Sequence, residues 1–169
     1  MDRFDVIKEN DTCRSGLACL AMICRYYGRA IDLTGRPHMA VSVGESLQEI
    51  AYNAEKLGFS SITGHLLLTK LSKVTLPCLL YWDNEYYVVL CKVKRGTYYV
   101  ADPTKGLIKC SETDIKRHWI NPQITNDEKG VAVFIKATDE FYKQAKEYNQ
   151  LIKQNSVWRH VKRLLLWWK

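Results

Sequence analysis

The chain has 169 residues, 47% of them apolar, which fits one globular domain with a real core plus some extra chain and does not fit a disordered protein. Its six cysteines, Cys13, Cys19, Cys24, Cys78, Cys91 and Cys110, show no C-x-x-C pair and no Cys/His ligand spacing. They indicate neither a zinc site nor a disulfide framework and, with no secretory signal at the start, read as reduced thiols of a cytosolic protein. The net charge of +7 is unevenly placed: Lys153, Arg159, Lys162, Arg163 and Lys169 supply +5 with no acid among them, leaving +2 for the rest, so the charge marks a surface-seeking tail rather than a nucleic-acid groove.

Met1 to Thr12 is a short lead-in. A helix is predicted from about Gly16 to Tyr27, with Leu17, Leu20, Cys24 and Tyr27 on one face and Gly28 suited to the left-handed turn that follows. Both sides of this helix are apolar, so it is expected to be central. Ser15 falls at or near its N-cap, where a hydroxyl caps a free backbone amide. The same position suits a nucleophile, because helix-terminal amides and the macrodipole favour a thiolate there. Residues 29–44, with Gly35, Pro37 and Gly44, read as a loop.

A second amphipathic helix runs from about Ser46 to Leu57 and ends at Gly58. Phe59 to Leu68 reads as a strand, followed by a short turn of helix to Lys73. The period then changes. Cys78–Trp82, Glu85–Lys94 and Thr97–Ala101 are rich in β-branched and aromatic residues and are punctuated by Asp83-Asn84, Arg95-Gly96 and Asp102-Pro103. They read as consecutive antiparallel strands. Leu107–Lys109, a helix at about Ser111–Trp119 and a strand at Val131–Lys136 close a domain spanning residues 1–138. Helices first and a strand meander afterwards make the fold class α+β.

Residues 139–169 read as a helical linker leading into a basic amphipathic helix, Val157–Lys169. Val157, Trp158, Val161, Leu164, Leu165 and Trp168 keep helical spacing, with Arg159, His160, Lys162 and Arg163 opposite. Such a helix suits a membrane surface and is too short and too charged to span a bilayer. Packing on its own domain or on a partner is the alternative.

The segment I-K-E-N-D-T-C-R-S-G-L-A-C-L-A-M-I-C-R-Y-Y-G at Ile7–Gly28 resembles the start of the bacteriocin-processing, papain-like cysteine peptidase domain (peptidase family thirty-nine) of peptidase-containing ABC transporters. That family's pattern is approximately Q-x-x-x-x-D-C-G-x-x-C-L-x-M-I-x-x-Y-Y-G. The resemblance continues through E-S-L-Q-E-I-A-Y-N-A-E-K-L-G-F (Glu45–Phe59), L-P-C (Leu76–Cys78), Y-Y-V-V-L-C-K-V (Tyr86–Val93) and V-A-D-P-T-K-G (Val100–Gly106). It implies a papain-like fold with N-terminal helices packed on an antiparallel sheet.

Aligned without gaps, the family's nucleophilic cysteine falls on Ser15, its oxyanion-hole glutamine on Glu9 and its histidine on Tyr86, while the acidic partner remains as Asp102. A serine hydroxyl needs a positioned base more than a thiol does, and a phenol is protonated near neutral pH. An ionised Glu9 accepts hydrogen bonds and repels an oxyanion. Cys13, considered as a shifted nucleophile, precedes the helix and has no matched base, because His38, His65, His118 and His160 fall outside the matching segment. A single Cys-to-Ser replacement would not account for Glu9 or Tyr86. For Asp102 itself, an Asp-Pro turn residue is the structural alternative.

The resemblance implies a catalytically inactive, peptidase-like domain at the cytoplasmic face of a bacterial inner membrane. It would recruit a leader peptide or unfolded protein cargo to the transmembrane and ATP-binding parts of an exporter. Tyr86, Tyr87, Trp82 and Tyr81 are candidates for exposed aromatic contacts with such cargo, by the helix-in-groove mode. Strand alternation turns about half of them inward. No metal or cofactor is called for, and with no Gly-rich phosphate loop, ATP hydrolysis would belong to a part outside this chain. An active leader peptidase and a free-standing regulatory peptide-binding protein are the competing readings.

Overall fold

A computed structural model describes residues 4–8, 15–29, 46–120 and 128–166, with side chains as far as residue 154. The elements in chain order are α1 (Ser15–Tyr26), α2 (Leu47–Lys56), β1 (Phe59–Leu67), α3 (Leu68–Leu71), β2 (Cys78–Trp82), β3 (Tyr86–Lys94), β4 (Thr97–Asp102), β5 (Gly106–Cys110), α4 (Glu112–Trp119), β6 (Lys129–Ala137) and α5 (Asp139–Leu166). Glu9, Cys13, His38 and the side chains of Val157–Lys169 lie outside the described residues.

The strands form one antiparallel sheet in the order β1-β6-β2-β3-β4-β5. The expected meander is there as β2 to β5, and β6 returns to fill the space between β1 and β2. The turns fall where the sequence marks them. Asp83 and Asn84 have φ of 53° and 58°, and Arg95 and Gly96 have φ of 51° and 74°, left-handed values that match the right-handed twist of the strands they join. Ser46 and Ser111 cap α2 and α4 through capping boxes closed by Glu49 and Asp114.

Helices cover both faces of the sheet. On one face α1 and α2 pack with Phe59, Leu79, Tyr87, Val89, Ala101 and Val133. On the other, α3 and α4 contribute Leu68, Leu71, Ile115 and Trp119 to a core with Leu80, Trp82, Val88, Leu90 and Val100. Burial on both sides is why β2 and the first part of β3, Tyr86 to Cys91, are continuous apolar runs instead of alternating ones. The apolar helix α1 is central as expected, with every residue from Ala18 to Cys24 buried.

The core does not stop at residue 138. Phe141, fully buried, stacks on Phe59 with ring centroids 4.2 Å apart, and Ala145 lies in the same cluster, so the first turns of α5 belong to the domain. The same helix grips the far end of α1. Asn149 Nδ2 donates to the Gly28 carbonyl (2.8 Å), Arg29 Nη1 donates to both Gln144 Oε1 (3.2 Å) and the Leu57 carbonyl (3.3 Å), and the Arg29 guanidinium lies over the Tyr148 ring. The helix α5 runs without a break from Asp139 to Leu166, and its first turns are part of the core.

Gly58 makes this junction possible. Its φ is +87°, and a Cβ there would lie 2.6 Å from the Phe141 backbone nitrogen. Gly58→Ala is therefore expected to lower unfolding free energy by about 2 kcal/mol or more, combining left-handed strain with displacement of α5. Urea denaturation followed by circular dichroism measures this, and an unchanged midpoint would contradict the packing described.

Candidate active site

Ser15, Tyr86 and Asp102 come from three elements that meet at one end of the sheet: the first residue of α1, the first of β3 and the last of β4. Ser15, expected at or near the N-cap, is the first residue of the helix, and it is buried. Its Oγ accepts the backbone N–H of Tyr87 at 3.1 Å. One turn later Cys19 Sγ donates to the Tyr87 carbonyl at 3.3 Å. The pairing of β3 with β4 starts only at Val89↔Ala101, so at Tyr87 helix side chains take backbone groups that β4 does not reach. Gly16 lets α1 pack closely on α2, because a Cβ there would stand 2.9 Å from Ile50 Cδ1.

Tyr86 reaches the retained carboxylate. Its hydroxyl donates to Asp102 Oδ2 at 3.0 Å, and Lys105 Nζ lies 3.4 Å from the same hydroxyl and 4.0 Å from Asp102 Oδ2. The other carboxylate oxygen has separate work. Oδ1 accepts the Thr104 N–H (2.7 Å), the Thr104 hydroxyl (2.7 Å) and the Lys105 N–H (3.1 Å). Asp102 is therefore both the turn residue and the partner of the Tyr86 hydroxyl.

The electrostatics follow from these contacts. Burial opposes ionisation of Asp102, but the Thr104 hydroxyl, the Thr104 and Lys105 amides and the Tyr86 hydroxyl together outweigh it and hold the carboxyl below its ordinary value. Burial first, then the charge of Asp102 and the hydrogen bond to it, push the Tyr86 phenol well up. Near neutral pH Tyr86 is a donor and not a base.

Two of the four aromatic contact candidates are corrected. Trp82 lies under α4, stacked at 5.2 Å on His118, and Tyr87 lies under α1; both are buried, so neither offers an exposed surface. Tyr81, half-buried, donates its hydroxyl to the Asn84 carbonyl at 2.7 Å, which leaves Tyr86 and Tyr81 as the partly accessible members. His118 is engaged by Asp83, with Nδ1 2.6 Å from Oδ1. His65 lies exposed on the edge strand β1. Lys105 was not singled out from sequence; the signal was its place three residues after Asp102, where the Asx-type turn folds it back toward Tyr86. Among the described residues no group of His, Cys, Asp or Glu could hold a metal ion, and no helix is long and apolar enough to cross a membrane.

Residues 3–129 match the Peptidase C39 family. The chain is 38% identical over 119 residues to the Escherichia coli colicin V secretion/processing ATP-binding protein CvaB, an alignment covering 69% of this chain and 17% of that protein. The chain thus spans about a sixth of the length of this relative. Among solved structures, it is similar to a double glycine motif protease from an AMS/PCAT transporter in complex with the leader peptide (TM-score 0.68, 25% identity, 80% of this chain and 93% of that one). It also shares its fold with the peptidase domain of Streptococcus ComA (TM-score 0.62, 18% identity, 80% and 100% covered).

The contacts of Asp102 give an acid-dependent stability. Its carboxyl titrates lower folded than unfolded, so its contribution is complete above the unfolded value near 3.8 and is lost as pH falls through the folded one. Asp102→Asn is expected to cost about 1–3 kcal/mol at neutral pH. The gap between wild type and variant should narrow as pH drops below about 4. Urea titrations across that range test it, and a gap independent of pH would contradict the charged assignment.

Proposed function

The chain belongs to the Peptidase C39 family, and on that premise we propose that it is a non-cleaving docking domain of a bacterial ABC exporter, holding a leader peptide or protein cargo for transport. The observation that carries this reading is the Tyr86 hydroxyl donating to Asp102 at the position where the family places an imidazole. A phenol held neutral cannot take a proton from Ser15, and the Ser15 oxygen already accepts the Tyr87 amide. Loss of nucleophile or base costs on the order of a million-fold in turnover where it has been measured in serine peptidases. Glu9, in place of an oxyanion donor, acts in the same direction.

The partners follow from the relatives. CvaB is named for both secretion and processing, and the double glycine motif protease was solved with its leader peptide. In this chain the processing half is lost and the holding half is retained. The exporter's membrane and ATP-binding parts would be its partners, at the cytoplasmic face of the membrane. The basic amphipathic stretch Val157–Lys169 would lie against the lipid headgroups.

A leader peptide ending in a double glycine is expected to bind, in fluorescence anisotropy, without being cut, as judged by mass spectrometry over a day. Ser15→Cys alone should leave it uncut, because no imidazole is restored beside the thiol. Cut product that disappears in Ser15→Ala or Cys13→Ala would overturn the reading in favour of an active peptidase.

A further inference from the structure

The face of the sheet that α1 and α2 cover is not covered evenly. The first helix lies over β3 and the second over β1, while among the described residues the same face is partly exposed toward β4 and β5: Ala101 is buried, but Leu107 is 49% exposed, Lys109 is exposed and Tyr99 is half-buried. The register fixes which side chains share this opening. Lys92 pairs with Tyr99 and Tyr99 with Lys109, so the three form a row straight across β3, β4 and β5. Lys94, opposite Thr97, lies at one end of the row's flank, and Leu107, opposite Ala101, lies at the other, toward Asp102. Adjacent strands are about 5 Å apart, which puts the Lys92 and Lys109 backbones about 10 Å apart on either side of one aromatic ring.

Like charges facing each other across a sheet oppose its formation unless something compensates. Lys92, Lys94 and Lys109 have no ion pair among the described residues. The acids nearest in sequence to β5, Glu112 and Asp114, belong to α4 on the opposite face, and Asp102 is engaged by its own turn and Tyr86. A lysine on an edge strand discourages edge-to-edge pairing, which accounts for Lys109 on β5. It does not account for Lys92 on the interior strand β3. Nor is the cluster a by-product of a basic body, since outside residues 153–169 the chain is nearly neutral.

We propose that this open end of the sheet is a docking surface for a peptide segment carrying acidic side chains, with Tyr99 and Leu107 as its apolar floor and Lys92 and Lys109 as its charged flanks. The inference rests on the peptide-holding reading above and adds selectivity to it. From Thr97 to Asp102 the surface is about 17 Å long, the length of a helical segment of about 11 residues. An amphipathic helix would set its apolar stripe on Tyr99 and Leu107 and its carboxylates beside the lysines.

Two peptides of about 20 residues test this, both ending in Gly-Gly with leucines at helical spacing, one carrying glutamates and the other glutamines on the flanks of the leucine stripe. At about 50 mM salt the glutamate peptide should bind the full chain about ten-fold more tightly, and the preference should shrink at about 300 mM. In Lys92→Gln/Lys109→Gln, whose exposed side chains leave the circular dichroism unchanged, the preference should fall below about two-fold. It should survive in Lys136→Gln/Lys143→Gln, which alters exposed lysines elsewhere. Equal binding of the two peptides by wild type, a preference that survives loss of Lys92 and Lys109, or one equally sensitive to the control pair would overturn the proposal while leaving peptide holding intact. Binding of neither peptide would overturn both.

Discussion

The fold at the site depends on how the backbone of one residue is satisfied. Tyr87 lies where β3 has run past the end of β4, and a peptide group there must be paired or left costly. Ser15 and Cys19, one helical turn apart, take its N–H and C=O. That pair of bonds ties the first turn of α1 to β3, while Gly16 between them lets the same turn pack closely on Ile50 of α2. A thiolate in the Ser15 position would accept the same amide, so an element built for reactivity also serves as a structural clamp. A serine hydroxyl supplies that acceptor without needing to ionise.

Asp102 has the same dual character on the other side of the site. One oxygen organises the turn from β4 to β5, and the other meets Tyr86. The sequence posed these roles as alternatives, yet a carboxylate has enough lone pairs for both. Lys105 completes the arrangement by lying near the Tyr86 hydroxyl, a fixed cation close to the pair.

The order of elements, the hairpin turns at Asp83-Asn84 and Arg95-Gly96 and the proximity of Tyr86 to Asp102 were all legible in the residues, because they follow from turn chemistry and from the spacing shared with the family. What was not legible involves partners distant in sequence. At Ser15 local propensity reads the helix start but cannot see the Tyr87 amide 72 residues away that its hydroxyl accepts. Tyr87 and Trp82 read as possible contacts because alternation gives the parity of a strand but not whether a helix lies on each face; here both faces at those positions are covered. The start of α5 reads as a helical linker because Phe141 and Ala145 are spaced among charged residues, and only the stacking of Phe141 on Phe59 shows that the core extends to it.

The grip of α5 on Gly28 and Arg29 ties the two ends of α1 to different things, the site at Ser15 and a helix of 28 residues at the other end. At 1.5 Å per residue that helix is about 42 Å long, so a rotation of about 5° at its root would carry its tip through about 4 Å. Mechanically the domain is a short arm joined to a long one, and a disturbance too small to repack the site arrives magnified at the far end.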